Sequence, residues 1–283
     1  MGICQLSKYF YADVGELGWS FYLSAFLRHK KSIGDKSIVM TYPGRMALYR
    51  NVCECIPLQE NYHKIFGTYS ADGFGLYDKS KKRIDLRTYF TLVTPEGYTL
   101  YPDLKFRCDS FWNGNTIFSS YEVKEIKKER TILVFPRCRM DVPYNTRNLP
   151  EPFYHKLIKT LALEFPNLIV VSMGELESSY NITCPGIMSN YLNEVCAGSD
   201  LQNVIDRCAN SVVTIGSQSA LAKLSLLQGV PTYIIGHSEE RHTYHDNWMK
   251  TRVAFHRIDK NAYPTFASEE CLKHILCFTR SCL

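Results

Sequence analysis

The sequence predicts an α/β protein whose second half is Rossmann-like. Short β-branched or apolar runs alternate with helical segments there. Glycine and serine cluster where those runs end. The length of 283 residues is nearly two domains at about 150 residues each.

In chain order, Glu16 to His29 reads as a helix with Trp19, Tyr22, Leu23 and Phe26 on one face, entered from the glycine-rich turn Tyr11–Trp19. Ser37 to Thr41 is a strand stopped by Pro43-Gly44, and 61–115 mixes Gly, Pro, Tyr and charge too irregularly to assign elements. Glu122 to Arg130, charged and nearly free of apolar residues, reads as the linker, giving an N-terminal domain over 1–125 and a C-terminal domain over 126–283. Thr131 to Phe135 is a buried strand ended by Pro136. Glu151 to Phe165 is a helix with Pro152 near its start, where proline is tolerated. Leu168 to Ser172 is the next strand, followed by a loop at Gly174, and Asp200 can cap a helix carrying Leu201, Val204, Ile205 and Cys208. Ser211–Ile215, Ser219–Gln228 and Thr232–Ile235 read as strand, helix and strand, with Gly229 stopping the helix. Ser268 to Cys277 forms a last helix, expected to pack back on the N-terminal domain.

Lys plus Arg number 33 against 28 Asp plus Glu, a net charge of +5 that suits an anionic small ligand and is too mild for a nucleic-acid binder. With 45% hydrophobic and 22% charged residues the composition is globular, which excludes a disordered chain. No apolar run approaches the roughly 18 residues of a membrane span, and no leader pattern opens the chain. The 11 cysteines form no CxxC pair, so no zinc ribbon or thioredoxin motif can be built. They are expected to be reduced and mostly buried, in a cytoplasmic compartment.

Three constellations carry chemistry. Ile215-Gly216-Ser217-Gln218-Ser219-Ala220 joins a strand to a helix. Glycine there permits close backbone approach, and the helix start favours an anion. A plain helix cap is the simpler reading of the loop alone, but ligands of open α/β sheets bind beyond strand ends. Arg137 and Arg139 follow another strand end, where two guanidiniums can grip phosphate oxygens or merely be solvated; Arg147 is a weaker third. Asp13 and Glu16 sit in the first turn, either as capping and solvent-facing acids or as a base for a sugar hydroxyl, with Asp72 a fallback. His237, His242 and His245 with Glu239 and Glu240 match no standard metal spacing, and no Asp-x-Asp pair exists, so no metal is expected.

On these residues the chain resembles the GT-B glycosyltransferases, and its first turn, Asp13-x-Gly15-Glu16-Leu17-Gly18-Trp19, is similar to the glycine-rich loop of heptosyltransferase-like members. That loop has an Asp after Leu-Gly where this chain has Trp19, and the Met-His pair of the donor loop is absent. Phe135–Arg139, Arg147–Pro150 and Gly216–Ser219 through Gly229-Val230-Pro231 resemble the donor half. The resemblance implies two Rossmann-like domains facing across a cleft. It also implies metal-independent, inverting transfer of a sugar from a nucleotide-diphosphate sugar to a glycan hydroxyl, with no cofactor. It implies Asp13 or Glu16 as base, and Arg137, Arg139, Arg147, Ser172, Met173, Gly174, Glu175, Gly216, Ser217, Gln218, Ser219 and His237 around the donor. The compact size also resembles transferases that large algal viruses use on capsid glycans, which favours a UDP-sugar and brings in UDP-xylose.

Two other readings compete. Gly236-His237-Ser238 after a strand begins like a nucleophile elbow, which would make an α/β-hydrolase-like serine esterase. Glu240 replaces the second glycine, and the 45 residues after Ser238 are short for the remaining triad. The third reading is a shell that binds a nucleotide or glycan without turnover.

Overall fold

The structure is a computed structural model that describes residues 8–14, 17–58, 75–77, 83–85, 87–101, 121–125, 130–139, 147–183, 188–197, 200–237, 251–258 and 269–283. By packing, the chain divides into Met1–Asn113 and Gly114–Leu283.

In the first unit β1 (Lys8–Asp13) leads into α1 (Leu17–Ser32) and β2 (Lys36–Thr41). A 3-10 turn (Pro43–Tyr49) then precedes β3 (Glu54–Pro57). An antiparallel pair, β4 (Gly75–Tyr77) and β5 (Arg83–Asp85), precedes α2 (Arg87–Val93) and the two-residue β6 (Thr99–Leu100). The main sheet is parallel, in the order β3-β2-β1-β6. The chain therefore steps outward from β1 through β2 and β3, then returns to the other side of β1. Phe10, Ala12, Ile38, Met40 and Leu58 form its core with Phe90 of α2. Pro43-Gly44, which reads as a simple stop, instead opens the 3-10 turn, where the proline supplies the φ that the turn needs.

The second unit holds β7 (Thr131–Phe135), α3 (Glu151–Glu164), β8 (Ile169–Glu175) and β9 (Tyr191–Cys196). It continues with α4 (Leu201–Ala209), β10 (Ser211–Ser217), α5 (Ala220–Leu227), β11 (Thr232–Gly236), β12 (Val253–Arg257) and α6 (Glu269–Arg280). All six strands are parallel in the order β12-β11-β10-β7-β8-β9, so the chain reverses direction between β7 and β10. This is the doubly wound arrangement of the Rossmann fold. Ile132, Val134, Val213, Ile215, Tyr233 and Ile235 pack with Phe153, Leu157 and Leu161 of α3. Leu133, Thr214 and Ile234, of opposite parity, are equally buried, so helices cover both faces. The last helix, α6, buries Cys271, Leu272 and Ile275 in this same core.

Two expectations are corrected. The loop expected at Gly174 is strand: β8 continues to Glu175 because β9, which the sequence pattern does not reveal, pairs with it through Gly174↔Val195 and Glu175↔Cys196. The cysteines are not mostly buried. Among the described residues only Cys208 and Cys271 are, while Cys196 and Cys277 are exposed and Cys53, Cys55, Cys138 and Cys282 are half-buried. Burial pushes the Cys208 and Cys271 thiols up to about 12, so both are inert.

Candidate functional site

Ligands of open α/β sheets bind beyond the carboxyl ends of the strands, where the strand order reverses. In the first unit that point is the end of β1, and Asp13 stands on it. The residue is only 4% exposed. Oδ1 accepts the Ser20 hydroxyl at 2.9 Å, and Oδ2 accepts those of Thr41 at 2.8 Å and Tyr49 at 2.7 Å. Arg45 lies 3.6 Å from Oδ1 and donates to Ser20 at 2.9 Å, its guanidinium 4.6 Å over the Tyr42 ring. Tyr42 donates to the Val14 carbonyl at 3.3 Å. Burial, then the neighbouring Asp13 charge, hold the Tyr49 phenol well above its ordinary range, so it stays a donor. One carboxylate thus ties the end of β1 to the first turns of α1, the end of β2 and the 3-10 turn. Glu16 and Asp72 lie outside the described residues.

Sequence reading singles out none of these four partners. Arg45 and Tyr49 follow Pro43-Gly44, which reads as a stop, and they lie far along the chain from Asp13.

In the second unit the reversal brings two of the predicted constellations together. Phe135 and Gly216 are register partners on adjacent strands, so Pro136–Arg139 and Ser217–Ser219 leave the sheet side by side. A Cβ on Gly216 would lie 3.2 Å from the Phe135 Cβ, tighter than ordinary contact, so the glycine keeps these strand ends close. Ser219 caps α5, its hydroxyl accepting from Ala222 N–H at 3.3 Å. The Gln218 backbone N–H reaches the Ile235 carbonyl at 3.1 Å, and its Oε1 accepts from His237 N–H at 3.2 Å. A Cβ on Gly236 would lie 2.6 Å from that Oε1, so glycine makes room for the brace. Tyr154 of α3 is fully buried beneath the reversal. Burial raises its phenol, while Ser217 and the Arg137 guanidinium oppose that rise.

The β8 members of the predicted donor set divide by position. Ser172 is inside the sheet, 2.7 Å from the Tyr191 hydroxyl and donating to Asn193 Oδ1 at 3.0 Å. Met173 is also buried, whereas Glu175 reaches the strand end. Gly174 lies beneath Ser179, whose Cβ would be 2.9 Å from a Cβ at 174. Arg147 is half-buried just before α3. Ser238, His242 and His245 lie outside the described residues. Among the described residues no group of His, Cys, Asp or Glu could hold a metal ion, and no helix is long and apolar enough to cross a membrane.

No protein-family model matches the chain, and no curated protein matches it by sequence. Solved structures do. A glycosyl transferase family 9 protein from Veillonella parvula superposes with a TM-score of 0.59 at 10% identity, over 99% of this chain and 100% of that one. The heptosyltransferase WaaC of E. coli, solved with ADP, gives 0.53 at 9% identity over 97% and 98% of the two chains. The iron-containing heptosyltransferase TibC, in complex with ADP-D-beta-D-heptose, gives 0.52 at 10% identity over 99% of this chain and 78% of that one. At such identities the likeness is one of fold. Two parallel sheets, each in an α/β unit, make this chain a GT-B-fold protein, as the sequence motifs imply.

Proposed function

We propose that the protein is a glycosyltransferase that moves a sugar from a nucleotide-diphosphate sugar to a hydroxyl of a glycan. The observation that carries this is the reversal between β7 and β10. It sets the arginine-bearing segment 136–139 beside the start of α5 at the carboxyl edge of a doubly wound sheet. Guanidiniums and the N–H groups of a helix start both favour a diphosphate, and they offset the charge that the leaving group gains.

In this reading the acceptor oxygen attacks the anomeric carbon. The bond from that carbon to the diphosphate oxygen breaks with its electron pair, and configuration inverts. The acceptor proton passes to a carboxylate. Both oxygens of Asp13 already accept hydroxyl protons, which supports giving Asp13 the role of anchor and Glu16 that of base. In this reading no step is assigned to a metal. A UDP-sugar, UDP-xylose included, is the donor that the sequence resemblance favours, and the ADP in the WaaC and TibC structures puts ADP-sugars beside it. Hexosyl and pentosyl donors therefore both belong in the test.

Thermal shift against UDP-, ADP-, GDP- and CMP-sugars, followed by assay of diphosphate release with and without glycan acceptors, checks the proposal. One of the three diphosphate classes is expected to raise the melting temperature by mass action, and the CMP-sugars, which carry a single phosphate, are not. A flat response to all three diphosphate classes, with no release, overturns it. Binding without release in the presence of acceptors would instead leave a non-catalytic binder.

A further inference from the structure

The segment Pro136–Arg139 is held from two sides. On one side Arg137 bridges Ser179 in antiparallel fashion, Cys138 N–H donates to the Ser178 carbonyl at 2.8 Å, and Tyr180 N–H donates to that of Pro136 at 2.7 Å. On the other side stands the carboxamide of Asn148. Its Oδ1 accepts from Arg139 N–H at 3.0 Å, and its Nδ2 donates to the Arg139 carbonyl at 2.8 Å.

A carboxamide is the side chain that offers an acceptor and a donor in this spacing, so Asn148 serves Arg139 as a strand neighbour would. Aspartate could take the N–H but could not serve the carbonyl. Asn148 is itself anchored: Leu149 behind it is fully buried, and Pro150 stands at the N-terminal cap position of α3. Both main-chain groups of Arg139 are engaged by this amide, so the backbone from which the guanidinium leaves is set by Asn148.

We infer that Asn148 is a positioning residue that aligns Arg139 for the diphosphate of the donor; the inference rests on the glycosyltransferase reading. A small misplacement of such a group costs binding out of proportion to its size, because alignment is established before the ligand arrives.

The test uses the full chain, with UDP, ADP and GDP as binding probes by calorimetry and steady-state kinetics on the donor that turns over. N148A and N148D are expected to weaken diphosphate binding and raise donor KM about tenfold, with kcat at saturating donor changed less than about twofold. In an R139A background N148A is expected to add less than about twofold, because the amide acts through that arginine. If N148A does not fold, N148D, which keeps the acceptor for the N–H, carries the same comparison. Equal weakening by N148A with and without Arg139, or unchanged binding in both variants, overturns the inference alone. A wild-type chain that binds none of the three diphosphates overturns the functional reading and this inference with it.

Discussion

Replacing Asp13 by asparagine changes one atom and should loosen the whole first unit. The carboxylate accepts three hydroxyls and pairs with Arg45. Asparagine turns one of the two oxygens into a donor. Placed at Oδ2, the amide nitrogen meets the Thr41 and Tyr49 hydroxyls; placed at Oδ1, it meets Ser20 and a guanidinium. In either orientation a hydrogen bond to a charged group is lost, about 1.5–3 kcal/mol by itself. Arg45 also loses its counter-charge, and removing one partner of a buried pair costs about 3–5 kcal/mol. Arg45 retains 17% of its side-chain exposure, which puts D13N near the lower end, about 3 kcal/mol. Tyr49→Phe, which removes one donor and leaves Thr41 on the same oxygen, should cost about 1.5 kcal/mol. Amide hydrogen exchange resolves this locally: peptides from β1, β2 and the 3-10 turn should exchange about a hundredfold faster in D13N, with α3 and β7 as the internal control. A change of less than about threefold in those peptides would refute the view of Asp13 as the node of its unit.

Three further outcomes follow from the second unit. Ser219→Ala should lower stability by about 1 kcal/mol through loss of the α5 cap, whereas Ser219→Asp should keep the cap and raise donor KM by placing negative charge beside a diphosphate; melting curves and kinetics separate the two. Gly174→Ala should destabilise by about 1–3 kcal/mol because its Cβ overlaps Ser179, and the double variant with Ser179→Gly should recover most of that loss in urea unfolding. His256, its pKa lowered first by burial and then by His274, with Glu270 opposing, favours the neutral ring when folded; the Tyr233 hydroxyl lies 3.4 Å from its Nδ1. The unfolded chain then binds more protons just below about pH 6.5, so stability contributed by the neutral ring is present above that pH and falls as the pH drops through the window. Melting temperatures measured from about pH 5 to 8 should slope less in His256→Gln than in the wild type, and identical slopes would exclude His256 as the source.

How legible each element is in the sequence follows from where it sits. β7, β10 and β11 lie inside a sheet covered on both faces, and their runs of apolar and β-branched residues are visible in one chain. The two strands of that unit without such a run, β9 and β12, are its edges. Tyr191–Cys196 carries Asn193 and Glu194, and Val253–Arg257 carries His256, as edge strands that must not invite pairing commonly do. β1 is hidden by its own composition, since Lys8-Tyr-Phe-Tyr-Ala-Asp13 mixes charge with aromatics and becomes a strand through pairing with β2 and β6. Asp13, Arg137 and Ser219 are legible because a glycine-rich turn or a strand end marks each of them. Arg45, Tyr49 and Asn148 are not, because their importance is a contact, and a contact across the chain leaves no periodicity.

The donor edge also separates residues by what else they must do. Ser219 is engaged as a cap, Gln218 as a brace to His237, Ser172 in the sheet interior, and Gly174 and Gly216 as close-approach positions. Each of these belongs to the predicted donor set, and each already has a structural duty that a substitution would disturb. The backbone of 136–139 is held by Phe135, Ser178, Tyr180 and Asn148. The Arg137 guanidinium, with its Nε and Nη2 buried, lies near the buried Tyr154 phenol and acts on its charge, so that arginine too has a place in the fold. In the glycosyltransferase reading the electrostatic work of the site rests on Arg139, on Arg137 as a residue shared between fold and donor, and on the first-turn N–H groups of α5. R139A should weaken donor binding by more than it lowers melting temperature, R137A should lower both, and substitutions that remove the structural contact of another member should lower melting temperature first. If R139A instead behaved like G174A, losing stability in step with binding, the separation would be wrong, and the segment would be a structural brace whose guanidiniums serve the fold.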